Sequence, residues 1–257
     1  MTEIPFRAGG FAPRNIPFLG AATLVVLLAA WQAAASYGLI ATRFLPPPLA
    51  IARALATLAA SGELWAHLSA SLQRLALGWA IGTAAGLVAG FAIGLTTLAR
   101  APGMAVVSAL FPIPKIALAP LFIIWFGIGE GSKLATVGFG VFFPTVINTV
   151  AGVDAVPRNL IRMAQSFGLS RAAIIAKIVL PGALPAILAG FRITTSTAVI
   201  LLVAAEMIGA DRGIGSFVLQ AGNLYDTEGL MAGIVMLSAL GLTLAWLLGR
   251  LERLLLG

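Results

Sequence analysis

Side chains able to do chemistry are sparse in this 257-residue sequence, and the informative ones are charges set in apolar runs. Lys115 lies among Pro112, Pro114 and Pro120, and Glu206 lies near the end of an apolar stretch from about Pro185 to Gly209 that holds Arg192 near its start. A charge at membrane depth is costly, so it faces a cavity, a partner or an interface, and carbonyls freed by nearby prolines can face the same cavity. Lys115 therefore has two readings: a cation beside a path for small anions, or a side chain that snorkels to the headgroups because its span starts later. Glu206 would repel an anion at the narrowest point. It is expected instead to bond to a loop or a neighbouring helix and to act on gating, at a depth too far from Lys115 for the two to pair. The hydroxyls of Thr194, Thr195, Ser196 and Thr197 can satisfy helix carbonyls or line a polar path.

Other chemistries lack their parts. Cysteine is absent, which excludes disulfides, thiolate metal sites and a cysteine nucleophile, and a single histidine leaves little for zinc. That histidine, His67, lies four residues after Glu63 and reads as half of a solvated helix pair. No Gly-x4-Gly-Lys-Ser/Thr phosphate cradle occurs, and there is no Gly-Lys pair at all, so this chain alone is not expected to hydrolyse ATP. No Ser/His/Asp arrangement can be assembled from one imidazole.

The elements that must position these residues follow from composition. Sixty per cent of residues are hydrophobic, 10% are charged and the mean hydropathy is +1.03, whereas a soluble domain carries about a quarter charged residues. A bilayer core about 30 Å thick needs about 20 apolar residues per helix, so the chain reads as an all-α polytopic membrane protein of about six transmembrane helices. The run from Ile16 to about Leu39 is too long for the apolar region of a signal peptide and is expected to be a retained first span. The next spans fall between Arg74 and Arg100, between Arg100 and Glu130, between Lys133 and Asp154, from about Pro185 to Gly209, and between Glu228 and Arg250.

Six spans put both termini on one side. With that side cytoplasmic, nine basic residues lie inside (Arg7, Arg14, Arg100, Arg158, Arg162, Arg171, Lys177, Arg250, Arg253) against five outside (Arg43, Arg53, Arg74, Lys133, Arg212). The chain then divides into a cytoplasmic tail (1–15), a first span with an external loop (16–71), and a core of five spans (72–257). In the loop, Pro46, Pro47 and Pro48 stop the first span and open a short surface helix over Leu49 to Ala60. In the second span, Gly78, Gly82, Gly86, Gly90 and Gly94 recur every four residues and form a ridge that lets helix backbones approach closely.

The one long inside segment, 154–184, reads as helix, break, helix: Pro157 opens the first, Gly168 and Ser170 make a turn with a new N-cap, and Pro181 and Pro185 end the second. Two readings suit it. Exposed Phe167, Leu169 and arginines fit a groove on another protein, and the same arginines fit an amphipathic hairpin resting on anionic lipid.

Gly168, followed at fixed spacing by Ile178, Val179, Leu180 and Pro181, resembles the cytoplasmic "EAA" loop of ABC importer permeases. The three leading positions of that pattern fall on Arg162, Met163 and Ala164. Only Ala164 matches, and Arg162 replaces the acidic residue that would make a polar contact to the ATPase. The stretches Trp125 to Glu130, Phe143-Pro144 with Asn148-Thr149, Leu180 to Pro185, and Ala205 to Gly209 are similar to the nitrate, sulfonate and taurine branch of those permeases, and the likeness runs from about Phe18 to Leu254.

The resemblance implies the type I ABC importer transmembrane fold and a permease subunit in the bacterial inner membrane. It implies a second copy of the chain, two ABC ATPase subunits that hold ATP and Mg, and a periplasmic or lipid-anchored substrate-binding protein, with no cofactor on this chain and no nucleic acid. Expected ATPase-coupling residues are Arg162, Ala164, Ser166, Phe167, Gly168, Leu169, Ser170, Ile178, Leu180 and Pro181, with Phe167, Gly168 and Leu169 at the contact centre. Asn148 joins Lys115 and Glu206 as candidates for the path or gate. The solute implied is small and anionic; an autonomous secondary transporter or channel is the alternative.

Overall fold

Helix accounts for nearly the whole of the computed structural model, which describes residues 17–256; the expected tail at 1–15 lies outside them. In chain order the helices are α1 (Pro17–Ser36), α2 (Pro48–Ser61), α3 (Glu63–Leu95), α4 (Thr97–Leu110), a 3-10 turn (Lys115–Leu118), α5 (Ala119–Phe126), α6 (Glu130–Ala155), α7 (Arg158–Ser166), α8 (Arg171–Ile174), a π turn (Ile175–Val179), α9 (Leu180–Gly209), α10 (Ile214–Asn223) and α11 (Thr227–Leu256). Five helices are long and apolar enough to cross a membrane, and α4 with the Lys115–Phe126 helix makes a sixth span bent by 86°. Pro112 and Pro114 lie in the bend, where the missing N–H groups and ring sterics stop a continuous helix.

The glycine ridge of α3 lies along α6. A Cβ at Gly78 would come 2.8 Å from Val137 Cβ, at Gly86 2.7 Å from Thr145 Cβ and at Gly90 2.5 Å from Thr149 Cβ, while at Gly82 it would meet the backbone of Gly138. The order of these contacts makes α3 and α6 parallel, which the bent span between them allows. Thr145 and Thr149 turn their hydroxyls back to the carbonyls of Val141 and Thr145, at 2.9 and 2.7 Å, and leave their methyls against the glycines. Antiparallel to α6 runs α9, with Gly152 beside Ala183 and Gly190 beside Asn148. Leu75, Val137, Val141, Leu202, Ile214, Met236 and Leu240 close the core where α3, α6, α9, α10 and α11 meet.

Three boundaries differ from the sequence expectation. The second span begins at Glu63, so Arg74 is a buried residue inside α3 and not the end of an external loop, and the division at 71/72 falls within this helix. Lys133 lies in the first turns of α6, buried, instead of in a loop. Pro181 and Pro185 do not end the second short helix: 171–209 is one helical run. Pro181 is tolerated because it sits in the first turn of α9, next to the π turn, whose wider winding loosens the hydrogen-bond ladder there.

Candidate functional site

Glu206 is buried to 1% exposure and its carboxylate is fully engaged. Ser71 Oγ reaches Oε1 at 2.8 Å, Arg74 Nη1 donates to Oε1 at 2.9 Å, and the Gly215 amide donates to Oε2 at 2.9 Å. The Ile214 amide donates to Ser71 Oγ at 2.8 Å. Arg74 in turn holds Glu130 through two parallel bonds, Nε to Oε2 at 2.6 Å and Nη2 to Oε1 at 2.7 Å, and also donates to the Arg212 carbonyl. Planar guanidinium forks suit such two-sided pairing. One arginine thus ties α3 to α6, α9 and the loop before α10. Gly213, at φ 143°, is needed there, because any Cβ would run into the Glu206 carboxylate.

His67, expected to pair with Glu63, instead joins this end of the molecule: its Nδ1 lies 2.9 Å from the Gly213 carbonyl oxygen and 3.1 Å from the Gly213 amide nitrogen, and its ring lies 5.3 Å from that of Phe217. Lys133 Nζ donates to the carbonyls of Ile128 and Gly129, both at 3.0 Å. Arg74, Glu130, Lys133, Glu206 and Arg212 border an open cavity of about 1020 Å³ at this end. Sequence spacing missed Arg74, Ser71 and Lys133; the available signal, for Arg74, was a basic residue with no acidic neighbour in the adjoining turns of its own helix.

Lys115 stands at the bend of the broken span. Its Nζ donates to the Phe111 carbonyl and lies 4.9 Å from the centre of the Phe111 ring and 5.4 Å from that of Phe143. Among the described residues it has no carboxylate partner. The ammonium is therefore held by carbonyl and ring faces, which attract a cation without neutralising it. Lys115 and Glu206 are not brought together. Asn148 donates to the Pro144 carbonyl at 2.8 Å and fills the space beside Gly190, so it packs α6 against α9. Of the hydroxyl cluster, Thr194 is buried and accepts from Trp79 Nε1 at 3.1 Å, while Ser196 and Thr197 bond to carbonyls one turn back.

At the opposite end, α7 and α8 meet at a turn. Gly168 takes φ 72°, its amide donates to the Gln165 carbonyl and the Leu169 amide to that of Ala164; Ser170 caps α8 by accepting from the Ala173 amide at 3.3 Å. Ala164, Val156, Ile174 and Val179 form a small core with Ile161, Leu169 and Ile178 packed on it. Arg171 donates to the Leu95 carbonyl at 3.0 Å, which ties α8 to the end of α3, and Arg100 pairs with Asp154 at 2.5 Å, which ties α4 to the end of α6. Leu169, expected at the centre of a contact, is partly buried and supports the turn from within. The outer surface belongs to Phe167, at 77% exposure, and Met163, at 52%, with Arg162, Ser166 and Leu180 also exposed.

Residues 82–256 match the family described as binding-protein-dependent transport system inner membrane component. The chain is 39% identical over 240 residues to the taurine transport system permease protein TauC of Escherichia coli (strain K12), covering 91% of this chain and 87% of TauC. It is also 39% identical over 217 residues to the putative aliphatic sulfonates transport permease protein SsuC of the same organism, covering 84% and 82% of the two chains. To the riboflavin transport system permease protein RibX of Chloroflexus aurantiacus it is 34% identical over 259 residues, covering 99% and 96%. Among solved structures it is similar to the MetNI methionine ABC transporter in an inward-facing conformation, with a TM-score of 0.65 at 23% identity, covering 73% of this chain and 93% of that one; the likeness is one of fold.

Proposed function

The chain belongs to the family of binding-protein-dependent transport system inner membrane components, and from that premise we propose that it carries a small organic anion of the sulfonate class across the membrane. It is the membrane-spanning permease subunit of an ABC importer, whose ATPase is a separate subunit and whose solute arrives on a binding protein. The sulfonate reading rests on one observation above the others: 39% identity to taurine and sulfonate permeases over most of the chain. An unneutralised Lys115 at a break in a membrane-crossing helix supports it, since a fixed cation offsets part of the several kcal/mol that desolvating an anion costs.

In this reading two copies of the chain enclose the path, both termini face the cytoplasm, and each copy meets one ATPase through the turn around Gly168. The chain binds no cofactor itself, consistent with the missing phosphate cradle; ATP and Mg belong to the ATPase. Glu206 holds the external end closed through Arg74, and Lys115 faces the solute.

The test is uptake of radiolabelled taurine and of an alkanesulfonate into proteoliposomes with ATPase, binding protein and internal ATP. Uptake that needs all three and survives a proton ionophore is expected. Uptake without the ATPase, abolished by the ionophore, overturns the importer assembly; import of riboflavin and of neither sulfonate overturns the solute class.

A further inference from the structure

The exposed face of α7 carries a pattern with one sign of charge. Leu160, Met163 and Phe167, at spacings of three and four, form an apolar stripe that no element covers among the described residues. On the other flank of the exposed face, about 100° or more round the helix from the stripe, stand Arg158 and Arg162, one helical turn apart and both exposed. No acidic residue occurs between Asp154 and Glu206. Asp154 itself is taken up by Arg100, and Glu252, on α11, by Arg192 at 2.7 Å. Among the described residues, therefore, Arg162 has no acidic partner on this chain, and Arg158 shares only the charge of Asp154, beside which it lines a cavity. Their opposite face is fixed, because Ile161 and Ala164 are seated on the core beneath the turn.

An apolar i, i+3, i+7 stripe on one flank of an exposed helix, with arginines on the other, suits a groove with one apolar and one acidic wall. We infer that the ATPase surface receiving α7 presents carboxylates to Arg158 and Arg162 on one wall, with Leu160, Met163 and Phe167 on the apolar wall opposite. The inference rests on the proposal that α7 docks on an ATPase, and it adds the charge that the partner must supply. Carboxylates are the complement of a guanidinium pair, bidentate where geometry allows, whereas a basic groove would be repelled. Attraction between opposite charges at the rim of such a contact weakens with ionic strength.

The experiment titrates the purified ATPase onto the full-length permease in nanodiscs of phosphatidylcholine alone, at 50 and 500 mM salt. The parent should bind less tightly at high salt. Arg158→Gln with Arg162→Gln should weaken binding about tenfold at low salt and flatten the salt dependence, and Arg162→Glu should weaken it further. Phe167→Ala should weaken binding while leaving the salt dependence unchanged. All three side chains lie on the surface, so thermal midpoints should stay at the parental value, which separates lost docking from lost folding.

Equal affinity and equal salt dependence in parent and Arg162→Glu, with Phe167→Ala still weakened, overturns the acidic wall and leaves α7 docking intact. No effect of any variant overturns the docking itself. An arginine effect that arises only when phosphatidylglycerol is added to the nanodiscs assigns the arginines to lipid headgroups and also overturns the inference.

Discussion

A buried carboxylate with three donors is a different object from a carboxylate lining a pore, and Glu206 is the former. Removing one partner of a buried pair leaves the other uncompensated, which costs about 3–5 kcal/mol. Glu206→Leu should therefore lower the thermal midpoint in detergent sharply. Adding Arg74→Leu should restore part of the loss, since Glu130, the partner then released, has a side chain 60% exposed and can be hydrated. A double variant no more stable than the single one would remove the clasp as an explanation. Lys115 makes the opposite prediction, because it pairs with no acid among the described residues. Lys115→Ala should reduce the maximal uptake rate of an anionic sulfonate by on the order of tenfold while leaving thermal stability within about 1 kcal/mol of the parent. Parental uptake by that variant returns Lys115 to the snorkelling role.

Helices here are held together by what glycine omits. A side chain at Gly86 would collide with Thr145 and with the Phe142 carbonyl, 2.9 Å from the Cβ position, so Gly86→Leu forces α3 and α6 apart. Overpacking of this kind costs about 1–3 kcal/mol, read as a lower melting temperature in detergent. Gly20, by contrast, has nothing within 4 Å of its Cβ position, so Gly20→Leu in α1 should melt like the parent. The turn between α7 and α8 uses glycine for its backbone. With φ at 72°, Gly168→Val places a β-branched residue in the left-handed region, at a cost of roughly 1–2 kcal/mol. That variant should lower ATPase-coupled uptake more than global stability, because the open space around Gly168 leaves the strain to be relieved by local rearrangement of the turn. Unchanged uptake would mean that the turn geometry is dispensable for coupling.

For the whole molecule, the absence of cysteine makes the orientation directly testable. Ser166→Cys and Tyr225→Cys place single thiols on exposed residues at opposite ends. A membrane-impermeant maleimide should label the first only in inverted vesicles and the second only in right-side-out vesicles, and added ATPase should protect the first alone. The reverse pattern would invert the proposed topology. The family match begins at Gly82, inside α3, so α1 and α2 precede the matched region. Described contacts tie α1 to the rest through α2, where Gln32 Oε1 accepts from the Leu49 amide at 3.0 Å.

The helical membrane class, the glycine ridge, the short helix after the proline run and the turn at Gly168 are legible in the order of the residues, because each is a local matter. Apolar length, a four-residue period and a glycine followed by an N-cap depend on near neighbours along the chain. Packing in three dimensions makes Arg74 a buried clasp residue and Leu169 a support, and lays the ridge along α6. The residues that meet Arg74, at 130, 206 and 212, are 56 to 138 positions away in the chain. A lone arginine between two apolar runs looks the same in one dimension whether it ends a span or is neutralised within it. Its carboxylate partners, brought close by packing, determine which of the two is affordable in a membrane.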